Sequence, residues 1–426
     1  MRTITEKYLT LAIILIFLGT LVIPSTNGDH QRSYLIPNTN NTEQELDLLH
    51  GEVLFYIEPL DNLNEPFNIT LAIPPNYENQ APILIDIRDD TTADIISYKI
   101  VNDTNQPNKI IKLEIGPINT EEKPSLHFDF WVLVKNEDYS DLPSYVKIPK
   151  KSELPEETKT WLVSTKAIQS DNILIKCKAH QLRRFTFGNL NRLADKIVFF
   201  TKIHAYRPFM SLFHLCGHDA LSCFLLTGQC TGLANLGTAL FRANGVPAKD
   251  LIVMPCFLDK WIYMHWISEY YCPEYGWILA ETSWNINPHQ PKNNIILRVN
   301  YPEDENEAGN KFSRGYGGLE PWYWMPKTVY PLMDYKNKSS GTRACIEKEL
   351  ITDNRIANLA FNLTWDVYEL HTKYFGINLI GDNKIHFDNA ISAQQNAIEC
   401  FNQLNVVGYY DNMTTAYNEY LEIECP

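Results

Sequence analysis

Three residues in this chain have the types and order that thiol chemistry needs: Cys230, then His265, then Glu281. Cys230 lies in GQCTGLANLGTALFRANGVPAK, Gly228 to Lys249. Leu233, Leu236, Gly237, Leu240 and Phe241 share one helical face there. Gly245 and Pro247 supply the stop signal. Cys230 is therefore expected at or just before a helix N-terminus, where free backbone N–H groups and the helix dipole favour a thiolate. The same N–H groups could hold an oxyanion. Gln229, just before the cysteine, either assists that oxyanion site or only shapes the turn. The competing reading of Cys230 is a buried or disulfide-bonded structural cysteine.

His265 sits in YMHWISEYY, where strand alternation puts it on one face with Ile267 and Glu269. GWILAETSW follows a turn-like CPEYG, and its Glu281 shares a face with Trp277 and Leu279. The two runs read as an antiparallel hairpin. Pairing at a constant, even residue-number sum puts His265 and Glu281 on the same face, opposite or diagonal. A carboxylate there orients the imidazole, and the imidazole takes the proton of Cys230. Taken singly, His265 also fits a hydrogen-bonded structural histidine, and Glu281 a solvated strand residue. Asn285 is the alternative orienting group. The same parity puts Trp266 and Trp284 on the opposite face, where they are expected to pack in the core.

The order of cysteine on a helix, histidine on a strand and acid on the next strand resembles the transglutaminase-like superfamily, a branch of the papain-like cysteine enzymes. RANGVPA, Arg242 to Ala248, is similar to the family's R-A-x-G-[IV]-P-A stretch. His265, Glu269 and Tyr271 match its H-x-W-x-E-x-Y strand, although the tryptophan is Trp266 and position 267 is Ile. Gly276, Trp277 and Glu281 resemble its G-W-x-x-x-D element, with Glu in place of Asp. STKAIQSDNILIKCKAHQL and the helix before Tyr206 resemble its lead-in helices. The resemblance covers about Glu157 to Trp284 and implies a Cys230, His265, Glu281 triad. Thr231 follows the nucleophile, where animal cross-linking enzymes carry tryptophan. The resemblance therefore points to amide hydrolysis ahead of transamidation.

The elements that must position this triad sit in a chain of 426 residues, long enough for two or three domains. Hydrophobic residues make up 45%, enough for packed cores, and the net charge of -14 argues against nucleic acid as a partner. Residues 1–28 read as a signal peptide, with a short charged start and the apolar run Leu9 to Ile23; an uncleaved anchor is the alternative. Nine cysteines leave one thiol over if the other eight pair, and Cys256 is not expected to pair with Cys272. No C-x-x-C occurs. Six Asn-x-Ser/Thr sequons, at Asn40, Asn68, Asn102, Asn337, Asn362 and Asn412, permit glycosylation of an exported glycoprotein.

Residues 29–50 read as a flexible leader. Residues 51–149 hold short β-type runs that suggest an antiparallel β-sandwich. The Pro/Lys/Glu-rich KIPKKSELPEETK marks a boundary, and 150–330 form the transglutaminase-like domain. Residues 331–426 are expected to be mainly helical, ending in two helices joined by a turn containing Gly408. The fold class is α+β. The acidic run Pro302–Glu307 lacks an EF-hand pattern and reads as a solvated loop. Trp322, Tyr323 and Trp324 read as core or interface, with lining a cleft or binding sugars as the second option.

The expected protein is a secreted or cell-surface cysteine-dependent amidohydrolase or acyltransferase. It needs no cofactor and no metal. Its partner is a peptide or protein substrate, with a cell-surface polymer as the other option, and a membrane only if the N-terminal segment is retained. A non-catalytic peptide- or glycan-binding module and a structural cell-surface protein are the competing readings.

Overall fold

In LHFDFWVLV, Leu126, Phe128, Phe130, Val132 and Val134 all point one way and are buried in a single core. That is the period of two that a strand imposes. A computed structural model describes residues 43–59, 62–119, 121–205, 216–256, 264–273, 275–306, 329–332 and 341–424. The strand holding this run is β6 (Ser125–Lys135); before it come β1 (Glu43–Pro59), β2 (Phe67–Ile73), β3 (Gln80–Ile87), β4 (Ile95–Asn102) and β5 (Lys109–Ile115). β1, β6 and β3 belong to one sheet, and β2, β5 and β4 form a second one. Leu49, Val53 and Ile57 of the first sheet share a core with Ile69, Leu71, Ile111 and Leu113 of the second, which makes a sandwich.

The helical leads into the centre are α1 (Ile173–Arg183) and α2 (Leu190–Ala205), followed by the short parallel pair β7 (Cys216–Gly217) and β8 (Thr227–Gly228) around α3 (Ala220–Leu225). Asn172 caps α1 by accepting from the Leu174 N–H. Next come α4 (Cys230–Ala243), β9 (Ala248–Pro255), β10 (His265–Cys272), β11 (Gly276–Ala280) and β12 (Asn294–Val299). The four strands form an antiparallel sheet in the order β11-β10-β9-β12. α4 is buried from Thr231 to Arg242, because it is enclosed on all sides rather than lying on a surface. Its Gly237 is required by close approach: a Cβ there would come 2.7 Å from Thr282 Cγ2. The Ser268 hydroxyl of β10 donates to the Ala234 carbonyl, fixing helix to sheet.

Four expectations need correction. β1 begins at Glu43, so the last eight residues of the expected leader are paired strand. The region expected to be helical opens with β13 (Val329–Leu332) and β14 (Gly341–Asp353), and both pair with β1 in the sandwich. Helices α6 (Asn354–Tyr374), α7 (Asp382–Asn402) and α8 (Val406–Leu421) follow. Gly408 lies inside α8, and Asn405 caps that helix by accepting from the Gly408 N–H. The turn before it uses Leu404 at φ 61° instead. The acidic run is also no solvated loop. Residues Pro302–Asn306 form α5, where Asp304 binds Arg298 and Glu305 binds Arg242. Trp322, Tyr323 and Trp324 lie outside the described residues. Among the described residues no helix is long and apolar enough to cross a membrane.

Candidate active site

Cys230 occupies the first position of α4, with Gln229 as the extended N-cap residue before it. The Gln229 side chain makes no capping bond and is exposed. At the other end of the helix, Arg242 pins α4 in place. Its guanidinium makes a buried bidentate pair with Glu305 at 2.8 Å and donates to the Ala248 carbonyl in the interior and to the Val163 carbonyl. The RANGVPA stretch therefore sets the helix direction, and with it the position of the thiol.

His265 opens β10 and Glu281 lies one residue beyond the end of β11. Ser268 pairs with Ala280 and Glu269 with Leu279, so the register has the even parity that brings the two side chains to one face. His265 Nε2–H donates to Glu281 Oε2 at 2.7 Å. Glu281 Oε1 accepts from the Ser283 N–H, also at 2.7 Å, and this holds the carboxylate's orientation. The other imidazole nitrogen is left for Cys230, to which His265 is also hydrogen-bonded. Cys230 is a free thiol, and so is Cys256, which excludes a Cys256–Cys272 bridge in this structure.

The electrostatics favour the charged forms of Cys230 and His265. Burial alone would push the Cys230 thiol up. The hydrogen bond and charge of His265, with the Trp266 and Thr231 N–H groups, hold it below its ordinary value instead. Burial also works against the charged imidazole. The Glu281 carboxylate and the bond to Cys230 overcome this and raise His265 to about 10. Glu281, although fully buried, stays below the usual carboxylate range because the His265 charge outweighs its desolvation.

Two contributors were not visible in the sequence. Trp284 stacks on His265, with ring centroids 4.5 Å apart and planes 19° apart. This corrects the expectation that it points away into the core. Strand parity would put Trp284 there only if β11 continued through residue 284. The strand instead ends at Ala280, Glu281 bridges to Ile286, and a turn with Asn285 at φ 64° folds Trp284 back over the histidine. Trp266 does lie in the core, with 0% exposure. The second is His289, whose imidazole is kept neutral by burial and accepts from the Asn294 amide at 2.6 Å. Asn285 itself is exposed in the turn.

Glu269, from the histidine strand, serves a separate buried network. It accepts from Tyr77 Oη at 2.5 Å and pairs with Lys249 at 3.1 Å, and Lys249 lies 3.7 Å from the centroid of the Trp277 ring. Three cavities of about 320, 530 and 840 Å³ border the sandwich, and these three are not lined by Cys230, His265 or Glu281. Among the described residues, groups of three or more His, Cys, Asp or Glu donors lie in the sandwich rather than around Cys230.

The segment carrying all three residues, 213–282, matches the family model of the transglutaminase-like superfamily. The central α+β core of this chain is a transglutaminase-like one. Among solved structures, the chain is similar to a candidate cysteine protease from Cytophaga hutchinsonii, at 11% identity and a TM-score of 0.45, over 73% of this chain and 90% of that one. It is also similar to the periplasmic domain of TgpA from Pseudomonas aeruginosa, at 12% identity and a TM-score of 0.26, over 57% of this chain and 92% of that one. Neither overlap carries an argument about activity. No curated protein matches the chain.

Proposed function

We propose that this protein is an exported enzyme that performs thiol-dependent acyl chemistry on amide bonds of peptides or proteins, with water as the preferred acceptor. The observation that carries this reading is the 2.7 Å hydrogen bond between His265 and the buried Glu281 carboxylate, with His265 holding the half-buried Cys230 thiol at the start of α4 below its ordinary pKa. The Cys230 thiolate attacks the amide carbonyl. Backbone N–H groups at the start of α4, with Gln229 beside them, face the developing oxyanion. His265 gives its proton to the leaving amine, which departs and leaves a thioester on Cys230. It then takes a proton from water as water attacks the thioester, releasing the acid and restoring the thiolate. Glu281 orients the imidazole and stabilises its charge throughout. No cofactor enters either step.

Water is favoured as acceptor because the position after the nucleophile is Thr231, which is fully buried and offers no aromatic wall to an incoming amine. Trp284, lying on His265, favours transamidation as the second reading, since an aromatic wall can shield a thioester from water. A labelled glutamine-containing peptide offered with excess primary amine separates the two. Release of the free acid, lost in Cys230→Ala, is expected. Dominant Cys230-dependent amine incorporation would replace hydrolysis by transamidation. No turnover across a broad peptide panel, with a Cys230 that alkylates no faster than a free thiol, would leave a binding module.

A further inference from the structure

On the face of the sandwich formed by β1, β6 and β14, His50 is flanked by Trp131 on one side and Cys345 on the other, each its register partner. The β1–β14 ladder shifts here: Leu49 pairs with Ile346 and Leu48 with Lys348, so Glu347 is the extra residue of a bulge. A bulge re-aims a side chain, and this one brings Glu347 beside His50. Glu347 Oε1 lies 3.7 Å from His50 Nδ1 and accepts from Cys345 Sγ at 3.0 Å.

We propose that His50, Cys345 and Glu347 form a binding site for a zinc-class divalent cation, with Asp129 positioning the histidine. The three donor atoms lie within 4.8 Å of one another. Tetrahedral zinc, with bonds of about 2.0–2.3 Å, needs ligand atoms about 3.3–3.7 Å apart; the Glu347 carboxylate already lies 3.7 Å from His50 Nδ1 and 3.0 Å from Cys345 Sγ, and side-chain adjustment on binding completes the geometry. One thiolate, one imidazole and one carboxylate form a donor set for zinc, whereas calcium and magnesium take oxygen ligands. The fourth position is left for water.

The histidine is held as a ligand requires. His50 Nε2 faces Asp129 Oδ1 at 3.4 Å while Nδ1 faces the other donors. Among the described residues His50 Nε2 makes no hydrogen bond as it stands; closing the gap to Asp129 on metal binding would give the carboxylate–histidine–metal arrangement, in which the outer carboxylate fixes the tautomer. Arg88 in turn holds Asp129 at 3.2 Å, and Trp131 stacks on the His50 ring at 4.3 Å.

Two other donor groups nearby already carry a cation of their own. Glu52 and Asp129, grouped with His127, are bridged by Arg88, and Glu52 also by Arg343. Glu45 and Glu349, grouped with Asp47, are bridged by Lys292. Among the described residues no Lys or Arg forms an ion pair with Glu347. On binding, zinc bonds to Cys345 Sγ and the thiol proton leaves to solvent. The metal then clips β14 to β1.

The test uses the full chain carrying Cys230→Ala, which removes the other thiol–imidazole pair and makes the result independent of the proposed catalysis. Zinc is titrated against a chromophoric chelator, with thermal unfolding followed in parallel. One tightly bound zinc that raises the melting temperature is expected. Adding Cys345→Ser or His50→Gln should weaken it by about 100-fold or more, and Asp129→Asn by about 10–100-fold. Cobalt should give a thiolate charge-transfer band in Cys230→Ala that is lost when Cys345→Ser is added. Equal zinc affinity with and without Cys345→Ser, or absence of the cobalt band in the folded Cys230→Ala protein, would overturn the proposal.

Discussion

Trp284 lies flat on His265, closing one face of the imidazole whose Nε2–H is bound to Glu281. An aromatic face over an imidazolium attracts its charge and keeps water off the neighbouring carboxylate. Trp284→Ala should therefore lower Cys230-dependent turnover about 10-fold, matching roughly 1.4 kcal/mol of lost stacking and charge stabilisation. The alkaline limb of the pH–rate profile should move to lower pH, because His265 loses part of what raises it. Trp284→Phe should recover most of the rate. An unchanged profile in Trp284→Ala would mean that the ring only fills space.

Glu281 uses both carboxylate oxygens, one on His265 and one on the Ser283 N–H. Glu281→Gln preserves the shape but removes the charge that supports the imidazolium. The rate should fall by about 10²–10⁴-fold, with Cys230 alkylation at neutral pH slowed as well. Glu281→Asp shortens the reach by one methylene and should be milder. Unfolding curves recorded alongside separate this from loss of fold. Full activity in Glu281→Gln would transfer the orienting role to another group.

The part of the site that local rules govern was legible in the sequence. Cys230 at a helix start followed from the glycine and proline stop signals. The His265–Glu281 meeting followed from strand parity, which holds through the paired residues Ser268 and Ala280. Trp284 was misplaced because parity ends where the ladder ends, and a tight turn decides its position. β14 was missed for a different reason. Its Glu347, Lys348 and Glu349 have helix-favouring side chains, and only pairing with β1, some three hundred residues earlier, makes the segment a strand. The ligating geometry at Glu347 depends on that same distant pairing.

Arg242 and Glu305 are buried with side-chain exposures of 0% and 2%. Replacing one partner leaves the other charged and desolvated. Glu305→Gln should destabilise the protein by about 3–5 kcal/mol. Because Arg242 also anchors the C-terminal end of α4, the rate of Cys230 alkylation in the folded variant should fall with it. Chemical denaturation measures the first effect and alkylation kinetics the second. A loss below about 1 kcal/mol would show that other contacts hold the helix end.

Two histidines make acid stability a sharp expectation. Burial lowers both His289 and His371 to about 4, and both are fully buried. His371 Nδ1 is bonded to the Tyr420 hydroxyl at 2.9 Å, at the packing of α6 on α8. In the unfolded chain each takes up a proton near its ordinary value of about 6.5. Between those two values the unfolded state binds more protons, so stability rises with pH. The contribution is fully present above about 6.5 and is lost as pH falls toward about 4, at about 3 kcal/mol for each histidine. Glu281 adds in the same direction lower down: its depressed pKa stabilises the fold above about 4.5 and that support is lost as pH falls through its folded value. Asp47 and Asp250, raised by burial to about 7 and about 8, act in the opposite direction over the same range, so the histidine contribution is read as the difference between the unsubstituted protein and His371→Gln in urea unfolding from pH 7 to pH 4. His371→Gln should be less stable at pH 7 and should lose less stability than the unsubstituted protein as pH falls from 6.5 toward 4, since one proton-uptake site of the unfolded chain is gone. A slope unchanged by that substitution would place the acid sensitivity elsewhere in the chain.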